Sequence, residues 1–400
     1  MISSKIQIHE CGEASAFLQA SDYFVLPTRT LYLDAAAQGP RLRSVLMAGQ
    51  ASLEAGAQPW KLTFTHWEAQ IEDLRALAAD LLFESDVEGV AMVPSVAFGI
   101  STAARNLPLQ PGQEVLVLEG QFPSNLLPWQ QRCTEVGAIV IAAKRELEED
   151  WTEAVMRAWD KCTQLQIVSL PHTHWLDGSA LNMDRIAQRA RESSTFLVLD
   201  LSQSLGVLPA ELGRWQPDFV VSVGHKWLLG PHGLAWLWAA PQWRDQGVGL
   251  DQHWQARQAG DQWHFPATQP PPYRAGARRF DAGGVADPTR LAMATAALAQ
   301  LRQWGLANIA RRLDQLIAEL NRALDAHGLE KWKTPGHGPH FTGLRAPDAA
   351  QYSAATNALA AHGVVYTARG GLLRIAPHLH IRVSDMARTM QIVAWAVQPG

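Results

Sequence analysis

Cysteine is scarce: Cys11, Cys133 and Cys162 are the three in 400 residues, and their spacing builds neither a disulfide framework nor a thiolate metal site. That usage suits a reducing cytoplasm, the expected location. An excess of charge of one sign is also lacking. Lys and Arg number 34 against 38 Asp and Glu, so the formal net charge of −4 leaves no basic face for nucleic acid or an anionic membrane surface. No stretch of about eighteen uninterrupted apolar residues occurs, and a membrane span is not expected. The opening Met-Ile-Ser-Ser-Lys-Ile-Gln-Ile-His-Glu holds no apolar run flanked by a cleavage site, so a targeting peptide is not expected either. The sequence shows no internal repeat and no low-complexity tract. What it does have is apolar mass: 47% of its residues are hydrophobic, ample for a large core. Sixteen tryptophans belong mostly to core or interface, because an indole buries much area while carrying one donor.

From about residue 68 to 240 the pattern alternates between helical and strand periodicity. Helices are expected over Glu68–Phe83, Val96–Leu107 and near 124–136, 151–163 and 182–193. Short apolar runs between them read as strands: Gly89–Val93, Glu114–Leu118, Ala138–Ala142, Leu165–Leu170, Phe196–Asp200 and Asp218–Val223. Such alternation predicts a mostly parallel sheet covered on both faces, with ligands beyond the carboxyl ends of its strands. After Ala240 the pattern breaks. Residues 241–280, rich in Gln, Trp, Pro and Arg, read as a long surface excursion. An amphipathic segment from Thr289 to about His327, interrupted near Gly305, precedes a final α+β stretch: a strand at His340–Leu344, a helix near 348–361, strands at Gly363–Tyr366 and Leu372–Ile375, and a last helix.

The chemistry concentrates at two strand ends. Thr195-Phe-Leu-Val-Leu-Asp200 is an apolar run closed by a carboxylate. Asp218-Phe-Val-Val-Ser-Val223 is another, followed at once by His225 and Lys226. An acid and an amine delivered side by side in this way are what pyridoxal phosphate chemistry needs. The amine forms a Schiff base with the aldehyde, and the acid pairs with the pyridinium nitrogen. Pro94-Ser95-Val96 lies between a strand and a helix, where N–H groups and a hydroxyl suit a phosphate, and Ser95 can cap the helix as well. His172 and His174, at i, i+2, have no third ligand in view, so no metal site is expected.

Asp200-x-x-Gln203-x-x-Gly206 followed by His225-Lys226-x-x-x-Gly230-Pro231-x-Gly233 resembles class V of the fold-type I aminotransferases. That family includes cysteine desulfurases, kynureninases, isopenicillin N epimerase-like proteins and C–S lyases. The resemblance spans roughly residues 30–385. It implies a pyridoxal 5'-phosphate enzyme in which Lys226 forms the internal aldimine and then shuttles the substrate's α-proton, Asp200 pairs with the pyridinium, and Gln203 bonds the phenolic oxygen. Ser95, Val96 and His225 become phosphate contacts, together with Ser222, although Val223 stands where desulfurases carry their serine. Phe122, in Phe-Pro-Ser-Asn125, resembles the ring-stacking aromatic of kynureninases, with Asn125 near the substrate or cofactor edge. His174 or Trp175 lines the substrate pocket, and Asp177-Gly178 reads as a turn. Arg374 matches the arginine that binds the substrate α-carboxylate by a bidentate fork, and Arg369 is a second, weaker candidate for the same anion. Asp281-Ala-Gly-Gly284 resembles a Gly-Thr-Pro segment that crosses to the partner subunit's phosphate, with Gly284 in the threonine's place.

The expected fold is therefore α/β, the fold-type I pyridoxal phosphate transferase architecture. A large cofactor domain would cover residues 27–280, and a small α+β domain would combine 1–26 with 281–400, in a homodimer. No cysteine stands between Gly363 and Arg374, where desulfurases keep their reactive thiol, and this disfavours a sulfur relay. Kynureninases place a tyrosine where this chain has His225. The expectation is an enzyme acting at Cα or Cβ of a small-molecule amino acid substrate, class V aminotransferase-like. The alternatives are a β-eliminating C–S lyase, an amino acid epimerase, or a cofactor-binding homologue without catalysis.

Overall fold

Leu31–Tyr32 (β1) is the first strand among the described residues, and seven strands then build the central sheet: Val90–Val93 (β2), Glu114–Leu118 (β3), Ile139–Ala143 (β4), Leu165–Pro171 (β5), Phe196–Asp200 (β6), Phe219–Val223 (β7) and Ala235–Ala239 (β8). This computed structural model describes residues 20–27, 30–146, 149–258 and 265–397. The sheet order is β2-β8-β7-β6-β5-β3-β4. The neighbours from β7 through β4 are parallel, and β8 alone runs against its neighbours β7 and β2. Helices bury both faces. Along β3, Leu116 and Leu118 enter one core while Val115 and Val117 enter the other, which is why the strand reads as a continuous apolar run.

Local signals explain where the helices start and stop. Ser95 caps Val96–Asn106 by accepting from Phe98 N–H at 3.1 Å, and Asp150 caps Trp151–Trp159 through Glu153 N–H at 2.9 Å. Gly137, at φ 77°, ends Leu127–Val136 in the left-handed conformation. Gly305 separates the helices Pro288–Trp304 and Leu306–Ala326, where the sequence placed its interruption.

Among the elements that escaped the sequence reading, two matter most for the sheet and its cover. One is the helix Arg43–Gly56, which packs on Pro288–Trp304. The other is β8. It follows β7 through the short connection 224–234, too short for a crossover helix, and so pairs antiparallel. The described residues of 241–280 are irregular, with a short helix Pro241–Gln246, single turns at Trp254–Ala256 and Gly276–Phe280, and a bridge between Arg257 and Tyr273, but the stretch is not wholly a surface excursion, since Ala277 and Phe280 enter a core.

The C-terminal part holds a small antiparallel sheet of Thr342–Arg345 (β9), Thr367–Arg369 (β11) and Leu372–Ile375 (β12), in the order β11-β12-β9. Helices Ala349–Ala361 and Leu306–Ala326 both pack against Val383–Val397. Between β9 and β11, Val364–Val365 (β10) pairs in parallel with β1, and Asp34 bridges to Ala376. The segment 31–36 thereby runs from the C-terminal strands to the carboxyl ends of the central sheet.

Candidate active site

The carboxyl ends of the central strands converge on a cavity of about 410 Å³. β6 delivers Asp200 to it and the loop before helix Val96–Asn106 delivers Ser95. The β7–β8 connection delivers His225 and Lys226, while β11 and β12 close the opposite side with Thr367, Arg369 and Arg374.

Lys226 and Asp200 are both nearly withdrawn from water, at 9% and 6% exposure. Burial pulls the Lys226 ammonium down to about 8; Asp200 and Asp34 oppose this, and Arg374 adds to it. Burial likewise pushes the Asp200 carboxyl up, against hydrogen bonds from Ser202 and the Lys226 charge. Ser202 N–H donates to Asp200 Oδ1 at 2.9 Å. The Lys226 amine hangs 5.3 Å from the centre of the Phe122 ring. Its backbone is fixed by close approach: Gly39 N–H donates to His225 O at 2.9 Å, and a Cβ on Gly39 would sit 2.1 Å from Lys226 O. Only a glycine fits there.

His225 lines the cavity stacked on His232, with ring centroids 3.8 Å apart. Burial, helped by His232, Lys226 and Arg41, pushes it down to about 3, so the imidazole is neutral. Gln203 donates to Ala36 O at 2.9 Å and accepts from Trp227 Nε1 at 3.0 Å, which leaves one amide hydrogen for the cavity that it lines. Trp175 donates to Gly120 O at 2.9 Å and meets Phe122 edge-on, with centroids 5.5 Å apart. Arg374 is 4% exposed; its Nη2 donates to Asp34 Oδ1 at 2.8 Å and to Thr367 Oγ1 at 3.0 Å, and its Nη1 to Trp175 O at 2.9 Å.

Thus Ser95, Val96, Phe122, Trp175, Asp200, Gln203, His225, Lys226 and Arg374 meet in one cavity, and Arg369 joins them. Four other expected residues do not line it. Ser222 lies on the far side of the β7 pleat, its hydroxyl directed to Val223 O at 3.3 Å, and Val223 takes the wall position. Strand alternation makes the two mutually exclusive. Asn125 turns inward, accepting from Ser169 Oγ at 2.6 Å, while Gln121 and Ser124 line the cavity instead. His174 is drawn away by Asp177, 2.9 Å from its Nδ1. Gly284 is exposed at φ 73°, on a segment whose Gly283 N–H donates to Asp251 at 3.0 Å.

Asp34 and Thr367 went unnoticed. A signal for Thr367 exists: Gly370-Gly371 is a two-residue hairpin turn with φ of 58° and 76°, and that turn fixes the register Thr367↔Arg374. Asp34 has no local signal, because its partner lies 340 residues away.

A mostly parallel sheet with a buried amine and a buried acid at its carboxyl edge defines a fold-type I α/β enzyme. The Aminotransferase class-V family matches residues 31–370, and the chain belongs to it. It is a pyridoxal 5'-phosphate-dependent enzyme that acts on an amino acid. Among its relatives, the uncharacterized aminotransferase YcbU of Bacillus subtilis is 24% identical over 333 residues, covering 82% of this chain and 85% of that protein. The Escherichia coli cysteine desulfurase CsdA superposes with a TM-score of 0.77 at 20% identity, over 95% of this chain and 98% of that one. The cystine C–S lyase C-DES, in complex with cysteine persulfide, superposes with a TM-score of 0.79 at 18% identity, over 92% and 98%.

The donor set fits the cofactor. A buried carboxyl that, among the described residues, accepts hydrogen bonds from Ser202 alone suits a ring nitrogen that brings a proton, and an amine lowered to about 8 suits an aldehyde. The exposed ring face of Phe122 suits an aromatic plane. A capped helix start at Ser95 suits a phosphate.

Proposed function

We propose that Lys226 holds the cofactor's aldehyde carbon in the resting enzyme and moves the substrate's α-proton during turnover. Bound here, pyridoxal phosphate supplies a carbonyl to receive the substrate amine and a ring to take up the electrons of a broken bond at Cα. Asp200 keeps the ring nitrogen protonated, and Gln203 donates its remaining amide hydrogen to the phenolic oxygen. Ser95 and the Val96 N–H hold the phosphate, with neutral His225 as a further donor. Phe122 covers one ring face, and Arg374 receives the α-carboxylate. The observation that carries this reading is the placement of Lys226 and Asp200, both buried, on the wall of one cavity with the helix start at Ser95.

The reaction is proposed as aminotransferase-like chemistry at Cα. One observation favours β-elimination of a C–S bond as the second reading. Among the described residues no cysteine lines the cavity, and burial pushes the Cys133 and Cys162 thiols up to about 11, so neither is a ready thiolate. Cys11 lies outside the described residues. Persulfide relay through Cys133 or Cys162 therefore finds no support, whereas elimination needs no thiol. We further propose residues 27–280 as the cofactor unit and 281–400 with 1–26 as its smaller companion, in a cytoplasmic homodimer. The exposed turn at Gly284, with no neighbour within 4 Å of an added Cβ, is free to meet a partner subunit.

The near-ultraviolet and visible spectrum of the purified protein tests the assignment. Added pyridoxal phosphate should give an absorption band in the wild type that Lys226→Ala changes, and a panel of L- and D-amino acids and cysteine derivatives should alter it. A pyridoxamine-type product would establish transamination, and pyruvate plus a sulfur product would establish elimination. An unchanged spectrum and turnover in Lys226→Ala would remove Lys226 from the centre of the site.

A further inference from the structure

The hairpin β11–β12 brings two guanidinium groups to one wall. Thr367 lies directly across from Arg374, and Arg369 lies two residues along the same strand, so all three share one face of the hairpin. In such a pair the diagonal neighbours, here Arg369 and Arg374, stand roughly 7–8 Å apart. Both line the cavity. Their counter-ions differ, however. Arg374 is neutralised by Asp34 at 2.8 Å. Arg369 is exposed and rests 5.5 Å from the centre of the Trp175 ring, and among the described residues no carboxylate pairs with it. Trp175 holds the Arg369 side chain over the cavity without spending its charge.

A neutral amino acid enters as a zwitterion and brings no net charge. Its α-carboxylate meets an arginine that already has a counter-ion. The unbalanced charge on this wall is therefore Arg369, one diagonal step along the hairpin from Arg374. We infer that the cavity selects amino acids carrying a second anionic oxyacid group on the side chain, a carboxylate or sulfur oxyacid, and that Arg369 receives it. This rests on the reading of Arg374 as the α-carboxylate site and deepens it by naming the substrate class. Arg369 is a specificity-determining residue here, and Trp175 positions it.

The test uses holoenzyme and ligands that bind without losing an α-proton: racemic 2-methylaspartate, racemic 2-methylglutamate and 2-aminoisobutyrate, which lacks the second acid. Binding is read from the absorbance change on titration. In the wild type at least one diacid should bind about tenfold tighter than 2-aminoisobutyrate. Arg369→Gln should bring that ratio close to one while leaving 2-aminoisobutyrate affinity within about twofold, and Arg369→Lys should restore part of it. Arg374→Gln should weaken all three. If Arg369→Gln weakens all three ligands alike, Arg369 serves the shared α-carboxylate and the inference falls while the parent reading stands. Equal wild-type affinities for all three ligands also overturn it. If no ligand perturbs the spectrum of the wild type, the parent reading fails and takes the inference with it.

Discussion

The two walls of the cavity are built differently. One wall comes from the central sheet, whose strands run between two cores and end in Asp200 and the Lys226 loop. The other is a short antiparallel hairpin turned by Gly370-Gly371, presenting Arg374 buried and Arg369 exposed. The first wall holds its charged groups away from water and shifts their proton affinities. The second presents guanidinium groups, one paired with Asp34 and one resting against the Trp175 ring. On the proposed reading, the reaction common to many amino acids belongs to the first wall, and choice among amino acids to the second. A hairpin can change its exposed residues at little cost, whereas a strand between two cores cannot.

Breaking the sheet wall should have the largest effect. Asp200→Asn keeps the shape but removes the charge, and kcat should fall by roughly 10²- to 10³-fold, as when a charge-stabilising group is lost from other active sites. A kcat within about twofold of wild type would detach Asp200 from the chemistry. On the hairpin wall, Asp34→Ala should leave the buried Arg374 without a counter-ion and cost about 3 kcal/mol in chemical denaturation. It should also raise KM for the substrate, because Arg374 loses its anchor. An unchanged denaturation midpoint would show that solvent satisfies Arg374.

The contrast sharpens with pH. An amine must be deprotonated to attack an aldehyde, and deprotonation of Lys226 is centred at about 8 rather than at 10.5. Uptake of pyridoxal phosphate by the apoprotein should therefore quicken as pH rises, about tenfold per unit below that value, and level off above it. A rise continuing toward the ordinary lysine range would show that burial does not tune the amine. The smallest expected effect lies outside both walls. Cys162→Ala should change kcat/KM by less than about twofold, since the thiol only donates to Ala158 O. A loss of activity would revive a thiol-dependent route.

The strand-end wall was legible in the sequence because each functional residue there closes an apolar run. β3, β6 and β12 fall where the runs predicted them, and Asp200 and Lys226 follow from the same pattern. Residues one or two places from those ends were harder to orient. Ser222 against Val223 is decided by the pleat, and His174 against Trp175 by the pull of Asp177. Neither choice is encoded in residue type alone. β8 was hidden because Trp236 and Trp238 signal burial without signalling direction. Arg374 was visible in its motif, but Asp34 was not, since an ion pair between distant segments leaves no local periodicity.

That separation in sequence has a consequence for synthesis. Gln203 reaches Ala36, Gly39 reaches the Lys226 loop, and Asp34 reaches Arg374 across 340 residues. A ribosome adding about 5–20 residues per second would hold the Asp34 segment waiting for its arginine for roughly 20–70 s. In the later part of that interval, once Lys226 has been made, the nascent chain carries the lysine, the acid and the phosphate loop without Arg374 or Thr367. The hairpin wall with Arg369 and Arg374 is thus the last part of the cavity to be made, after Asp34 at one end of the chain and Asp200 and Lys226 in its middle.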